Sequence, residues 1–162
     1  MRTHLAAAAL SAVAALALTT PPLALAGEET AVPLPRDFRS WTHVRSMVVT
    51  DAEQGMYGFH NVYANKAALK VLRSPANKAA YPDGSQFVVS IFEVKQDKGL
   101  VVAGAKQRDV VQIKDRRATA TGGWRFASFD PSGKAIRIDA SSCHACHSQA
   151  HDNDFVFTRY SE

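Results

Sequence analysis

Tyr81-Pro82-Asp83-Gly84-Ser85-Gln86-Phe87-Val88-Val89-Ser90-Ile91-Phe92-Glu93-Val94-Lys95 is the stretch that decides the fold class. Its first four residues are a turn signal, because Pro82 presets its own backbone angle and Asp83-Gly84 tolerates the tight reversal. Ser85 to Lys95 then reads as a long strand rich in β-branched and aromatic residues. Side chains alternate along a strand, so Phe87, Val89 and Ile91 share one face and Val88, Ser90 and Phe92 the other.

Working outward from this strand, His43 to Thr50 and Met56 to Ala64 read as two earlier strands separated by a turn over Asp51 to Gly55. Asn65 is an N-cap for a short helix, Lys66 to Arg73, which Ser74-Pro75 ends, with Ala68, Leu69 and Leu72 as its inner stripe. Downstream, Leu100 to Ala103, Asp109 to Lys114 and the aromatic Trp124 to Phe129 are further strands. Thr121-Gly122-Gly123 and Asp130 to Lys134 are turns. Ser141 or Ser142 is expected to cap a short helix carrying Cys143 to Ala150, and Phe155-Val156-Phe157 to form a last short strand. The sum is α+β: a mostly antiparallel sheet, one mid-chain helix, and a short C-terminal helical segment bearing the two cysteines.

The N-terminus has a different character. Met1 to His4 is short and basic, Leu5 to Leu18 is an uncharged Ala/Leu run, and Ala24-Leu25-Ala26 is a small-x-small site after Pro21-Pro22. This is the three-part pattern of a secretory signal peptide, expected over 1–26 and cleaved after Ala26. The apolar run is shorter than the ~20 residues a spanning helix needs, so no membrane segment is expected after cleavage. Residues 27–37 read as a flexible arm and 38–162 as a single domain with one core. The implied location is periplasmic or otherwise exported.

The net charge of +4 is spread along the chain, and Lys114 to Arg117 is its densest basic spot. Nucleic-acid binding, which shows a concentrated basic stripe, is excluded. Electrostatic docking of an acidic redox partner stays open. The chain has two cysteines, three residues apart, and a small exported domain stapled by disulfides would carry more of them at wider spacing.

Cys143-His144-Ala145-Cys146-His147 fits C-x-x-C-H, the attachment signature of c-type haem. One helical turn sets both sulfurs on the same side, where they can meet the two vinyl groups of one porphyrin edge, and His147 follows as the proximal iron ligand. The expected cofactor is one covalently attached haem c per chain. Three other readings compete, one of them a chance match of five residues. A thioredoxin-like dithiol needs a βαβ unit that this chain lacks. A zinc site would use Cys143, Cys146 and two of His144, His147 and His151, but structural zinc draws its second ligand pair from another segment. His144 and His151 are read as surface residues. A sixth ligand on the iron would favour electron transfer, and an open site would favour small-ligand binding or peroxide chemistry. Met47, Met56, His43 and His60 are the available candidates for that position.

Several short pieces recur here in a known order: Arg39-Ser40-Trp41, Phe59-His60-Asn61-Val62-Tyr63, Asp83-Gly84 with its long strand, Val111 to Asp115, Thr121-Gly122-Gly123-Trp124, the late C-x-x-C-H and Asp154-Phe155-Val156-Phe157. In that order they resemble the cytochrome P-460 and cytochrome c′-β group of exported mono-haem proteins. The resemblance implies a β-rich fold, a homodimer, and a five-coordinate iron with an open distal face. Members with the P-460 chromophore cross-link a lysine to the porphyrin and oxidise hydroxylamine. The matching position here is about Val89, and no lysine stands between Lys78 and Lys95, so neither the cross-link nor hydroxylamine oxidation is expected. The c′-β members have an apolar distal pocket that binds NO and CO, which Phe59, Phe87 and Val89 could line. His60 stands where some cross-linked members carry a distal arginine, and the resemblance makes it a candidate hydrogen-bond donor or acid/base. Phe59 and His60 are strand neighbours, so both face one pocket only if the strand is bulged.

The expected activity is binding of NO/CO-type ligands or redox chemistry on small nitrogen species. A six-coordinate electron-transfer cytochrome, with His60 or a Met as second ligand, is the alternative.

Overall fold

The structure is a computed structural model that describes residues 31–53, 55–74 and 80–160. The expected leader, 1–26, and the first residues of the expected arm, 27–30, lie outside the described residues.

Six antiparallel strands form one sheet in sequence order: β1 (Thr42–Val49), β2 (Gly58–Ala64), β3 (Gln86–Asp97), β4 (Leu100–Lys114), β5 (Trp124–Phe129) and β6 (Ala135–Ile136). Helix α1 (Lys66–Leu72) joins β2 to β3, and α2 (Ala140–His147) follows the sheet. This is the expected α+β class. Two of the expected strands, Leu100 to Ala103 and Asp109 to Lys114, are one element. The intervening Gly104 to Arg108 lacks β-branched residues, but pairing with β3 carries the strand through it, at the cost of register shifts around Phe92.

Register assigns the faces. His60 pairs with Ile91, Val62 with Val89 and Ala64 with Phe87. Beyond β3, Ile91 pairs with Arg108, Val89 with Val110 and Phe87 with Gln112. Gln112 in turn pairs with Phe126, and Val110 with Ser128. These residues form the inner face. Its core gathers Val44, Val62, Ala64, Phe87, Trp124, Phe126 and Val156 with Ala68, Val71 and Leu72 of α1. Val71 thus joins the expected helix stripe, and Leu69 is only half-buried. Each large apolar side chain buried here contributes roughly 1.5–3 kcal/mol.

The outer face carries Val88, Val111, Phe129 and Tyr63, covered by Phe38 with Val32, Leu34 and Trp41. The segment expected as a flexible arm is therefore packed from Val32 onward.

Asn65 caps α1 as expected. Its Oδ1 accepts from Ala68 N (3.0 Å) and Gln86 N (3.1 Å), and its Nδ2 donates to the Gly84 carbonyl (2.8 Å). One side chain thereby fixes the start of α1 against the start of β3.

The C-terminal part departs from expectation in two ways. Asp139, rather than Ser141 or Ser142, caps α2: its carboxylate accepts from Ser141 N (2.9 Å) and from the hydroxyls of Ser141 (2.7 Å) and Ser142 (2.9 Å). The helix ends at His147 and continues as a 3-10 turn over Ser148–Asn153. Phe155 to Phe157 is not a strand, because Asp154 (φ 49°) and Phe155 (φ 64°) both adopt left-handed backbone, which no ladder accommodates.

Candidate functional site

Within α2 the spacing of three and four residues puts Cys143, Cys146 and His147 on one side of the helix. Both thiols are free. Cys143 is half-buried and packs against the inner core, while Cys146 is exposed. Burial pushes the Cys143 thiol up, and the Asp139 carboxylate adds to the shift.

His147 is held more tightly than either cysteine. Its Nδ1 lies 2.7 Å from the Phe155 carbonyl oxygen. A carbonyl only accepts, so Nδ1 carries the proton and Nε2 keeps its lone pair. Phe126 and Phe157 flank the ring, each with centroids 5.1 Å away. Burial pushes the imidazole pKa down; the bond to Phe155 works against the shift and His144 adds to it. A neutral imidazole with an oriented, free Nε2 is the form that ligates a metal, and its second hydrogen bond is the usual means of fixing it.

The left-handed backbone at Phe155 is what aims this carbonyl, and a set of polar ties holds it. Gln112 Nε2 also donates to the Phe155 carbonyl (3.2 Å). Asp154 is bound on three sides: Lys114 Nζ at 2.6 Å, Tyr81 N at 2.8 Å, and Trp124 Nε1 on its carbonyl at 2.8 Å. The Phe155 ring lies over Gly122 (φ +66°), where an added Cβ would come within 2.7 Å of it. His144 packs against the same ring with centroids 5.2 Å apart, and its Nδ1 is buried. The expectation of a surface His144 is thus corrected, whereas His151 is exposed and beside Asp152.

Around the inner core, Met47, Val89, Ile138, Ala140, Cys143 and Phe155 are only partly buried. All of them pack against that core, and Cys143 is one of them. The sequence profile of the cytochrome P460 family matches residues 35–158. The chain belongs to the cytochrome P460 family. Among curated proteins, none matches this cytochrome P460 chain. Membership implies haem binding, and the residues present fit a haem: partly buried apolar side chains along the inner core, a neutral histidine with one nitrogen free, and two thiols one helical turn apart. Among the described residues, no group of three or more His, Cys, Asp or Glu converges as a metal cage.

The distal candidates separate by face. His60 lies on the inner face, 4% exposed, with Nε2 2.7 Å from the Met56 carbonyl. Burial pushes its pKa down, with the Met56 carbonyl opposing and Arg108 adding. Phe59 pairs with Val48 and Phe92 on the outer face, so it does not share a pocket with His60. No bulge in β2 brings both inward. Phe87 faces inward but is sealed in an aromatic cluster with Tyr81 (5.5 Å) and Trp124 (6.2 Å), which makes it core and not lining. Val89 is inward and partly buried, packed against the inner core. Met47 pairs with His60 on the same face, whereas His43 pairs with Tyr63 on the other. Sequence reasoning missed three residues here: Gln112, Asp154 and Arg108. A polar residue inside an otherwise apolar strand was the available signal for Gln112.

Proposed function

We propose that this cytochrome P460 homologue is an exported c-type cytochrome carrying one haem, attached through Cys143 and Cys146 and ligated at the iron by His147 Nε2. The observation that carries the reading is the His147 Nδ1–H to Phe155 carbonyl bond, which leaves Nε2 free on the helix that carries the two thiols. The haem, when bound, supplies an iron that can bind small ligands and exchange an electron. The chain's own residues do the rest. Cys143 and Cys146 would hold the haem through thioether bonds, each S–H adding across one vinyl group with its proton passing to the neighbouring carbon. The Phe155 carbonyl keeps His147 neutral and oriented. Val89 and Met47 exclude water from the inner face. His60 offers a polar group there.

The far side of the iron would be open in this reading, with His60 Nε2 engaged by the Met56 carbonyl and only its Nδ1 left to ligate. The ligands are of the NO/CO type or small nitrogen species. Hydroxylamine oxidation through a lysine-modified haem is not expected, because Val89 stands at the cross-link position. A homodimer and an acidic redox partner belong to the same proposal.

The test is an absorption spectrum of periplasmically matured protein, ferric and ferrous, with and without CO, beside a haem stain of the denatured chain. Covalent stain lost in a Cys143→Ala/Cys146→Ala protein, with a high-spin spectrum that shifts with CO, is the expected result. A low-spin spectrum indifferent to CO would replace the open site by six-coordinate electron transfer. A normal spectrum in His147→Ala would sink the ligand assignment.

A further inference from the structure

His60, Ile91 and Arg108 form one cross-strand row on the inner face, through the pairs His60 with Ile91 and Ile91 with Arg108. The two polar members of the row hold the same turn. His60 Nε2 donates to the Met56 carbonyl at 2.7 Å. Arg108 Nη2 donates to the Gly55 carbonyl and lies 3.9 Å from Met56 Sδ. These partners are uncharged, so among the described residues no carboxylate neutralises the guanidinium by contact. The adjacent carboxylate, Asp109, faces the other way and is taken up by Ser90 Oγ (2.7 Å) and Lys106 Nζ (2.5 Å).

Arg108 Nε is buried and has no hydrogen-bond partner among the described residues. A buried donor on a cation is costly to leave unmet, and in native structures such a group usually has an acceptor that is not protein. In the low dielectric of the inner face, one fixed cation favours an anion over a neutral ligand of the same size.

We propose that Arg108 makes the inner face beside His60 a site for a small monoanion such as azide or nitrite, with the Arg108 Nε–H as its donor. The inference rests on the proposed haem site and names the class of ligand that site prefers. Arg108 binds this ligand directly, while its Nη2 stays committed to the Gly55–Met56 turn.

The experiment is a spectroscopic titration of the ferric holoprotein with azide and, separately, with neutral imidazole, for wild type, Arg108→Leu and Arg108→Lys. The Leu variant is expected to weaken azide about tenfold or more, the scale of one charge-assisted hydrogen bond, and to leave imidazole unchanged. The Lys variant, which keeps the charge and moves the donor, falls between, and it decides the matter alone if the Leu protein does not mature. Equal weakening of both ligands, or of neither, overturns the proposal; the first is the pattern of a residue that holds only the turn or a haem carboxylate. A wild type that binds neither ligand overturns both this inference and the open-site reading, whereas an unchanged azide-to-imidazole ratio on a protein that binds both overturns this inference alone.

Discussion

The seven residues of β2 alternate strictly between buried and half-buried, whereas none of the eight residues of α2 is buried. The sheet takes its place by removing apolar surface from water, a non-directional force that tolerates small displacements. The segment from Asp139 to Phe157 is placed by directional ties: the Asp139 cap, the three partners of Asp154, Gln112 on the Phe155 carbonyl, and two left-handed residues in a row. The difference is that one region is stable on its own pattern, and the other is shaped to present a histidine and two thiols. Its remaining apolar surface, Phe157 at 49% exposure for example, is left for something else to cover.

The comparison breaks most visibly at the place where the two regions meet. Trp124 is fully buried and donates to the Asp154 carbonyl, so Trp124→Ala removes core and tie together. A loss of ~3–5 kcal/mol in denaturant unfolding is expected, with haem incorporation failing as well. A much smaller loss would mean that the inner core does not depend on this ring.

Asp154→Ala separates the two regions. It strips the Lys114 pair and the Tyr81 N–H acceptor while leaving the sheet's apolar contacts in place. About 2–3 kcal/mol of destabilisation is expected from partners that are mostly shielded from water. Circular dichroism should keep the strand signal while haem yield falls. Loss of both signals in parallel would show that the segment and the sheet form one cooperative unit.

A third variant, Asn65→Ala, affects the sheet side only. Losing the cap and its bond to Gly84 costs about 1 kcal/mol. The ligand-binding spectrum should not change, and a changed spectrum would place α1 within the site's mechanics.

The smallest effect is expected at Asp139. The Ser141 and Ser142 hydroxyls, together with Ser141 N–H, hold its carboxyl below the usual carboxylate range. A depressed folded-state pKa gives stability that is present above the unfolded value and lost as pH falls through the folded one. Wild-type α2 should therefore loosen below about pH 4, and Asp139→Ala should be weaker at neutral pH and flatter across that window. Equal acid sensitivity in both proteins would assign the acid loss to other carboxylates.

Much of the sheet was legible because a strand has a period of two and its turns have their own chemistry. Asp83-Gly84 and Gly122-Gly123 bracket strands that formed close to their expected bounds, and Asn65 capped the helix it was expected to cap. The choice between Phe59 and His60 was not legible. A period-two pattern marks two faces but does not name the inner one, and a one-residue slip exchanges them. Pairing with β3, which matches His60 to Ile91 and Phe59 to Phe92, makes the choice. Arg108 was hidden for a related reason, since the register shifts around Phe92 reset the phase of β4 before position 108 is reached.

The sequence by itself determined the α+β class, the helix after Asn65 and the C-x-x-C-H spacing, because these depend on residues within a few positions of one another. Only the tertiary structure decided which nitrogen of His147 is free, that Phe155 is left-handed, and that His60 and Arg108 stand in one row. Each of these depends on partners far away in the chain: Gln112 and Lys114 for the C-terminal segment, β3 for the row. Local spacing carries no information about contacts of that range.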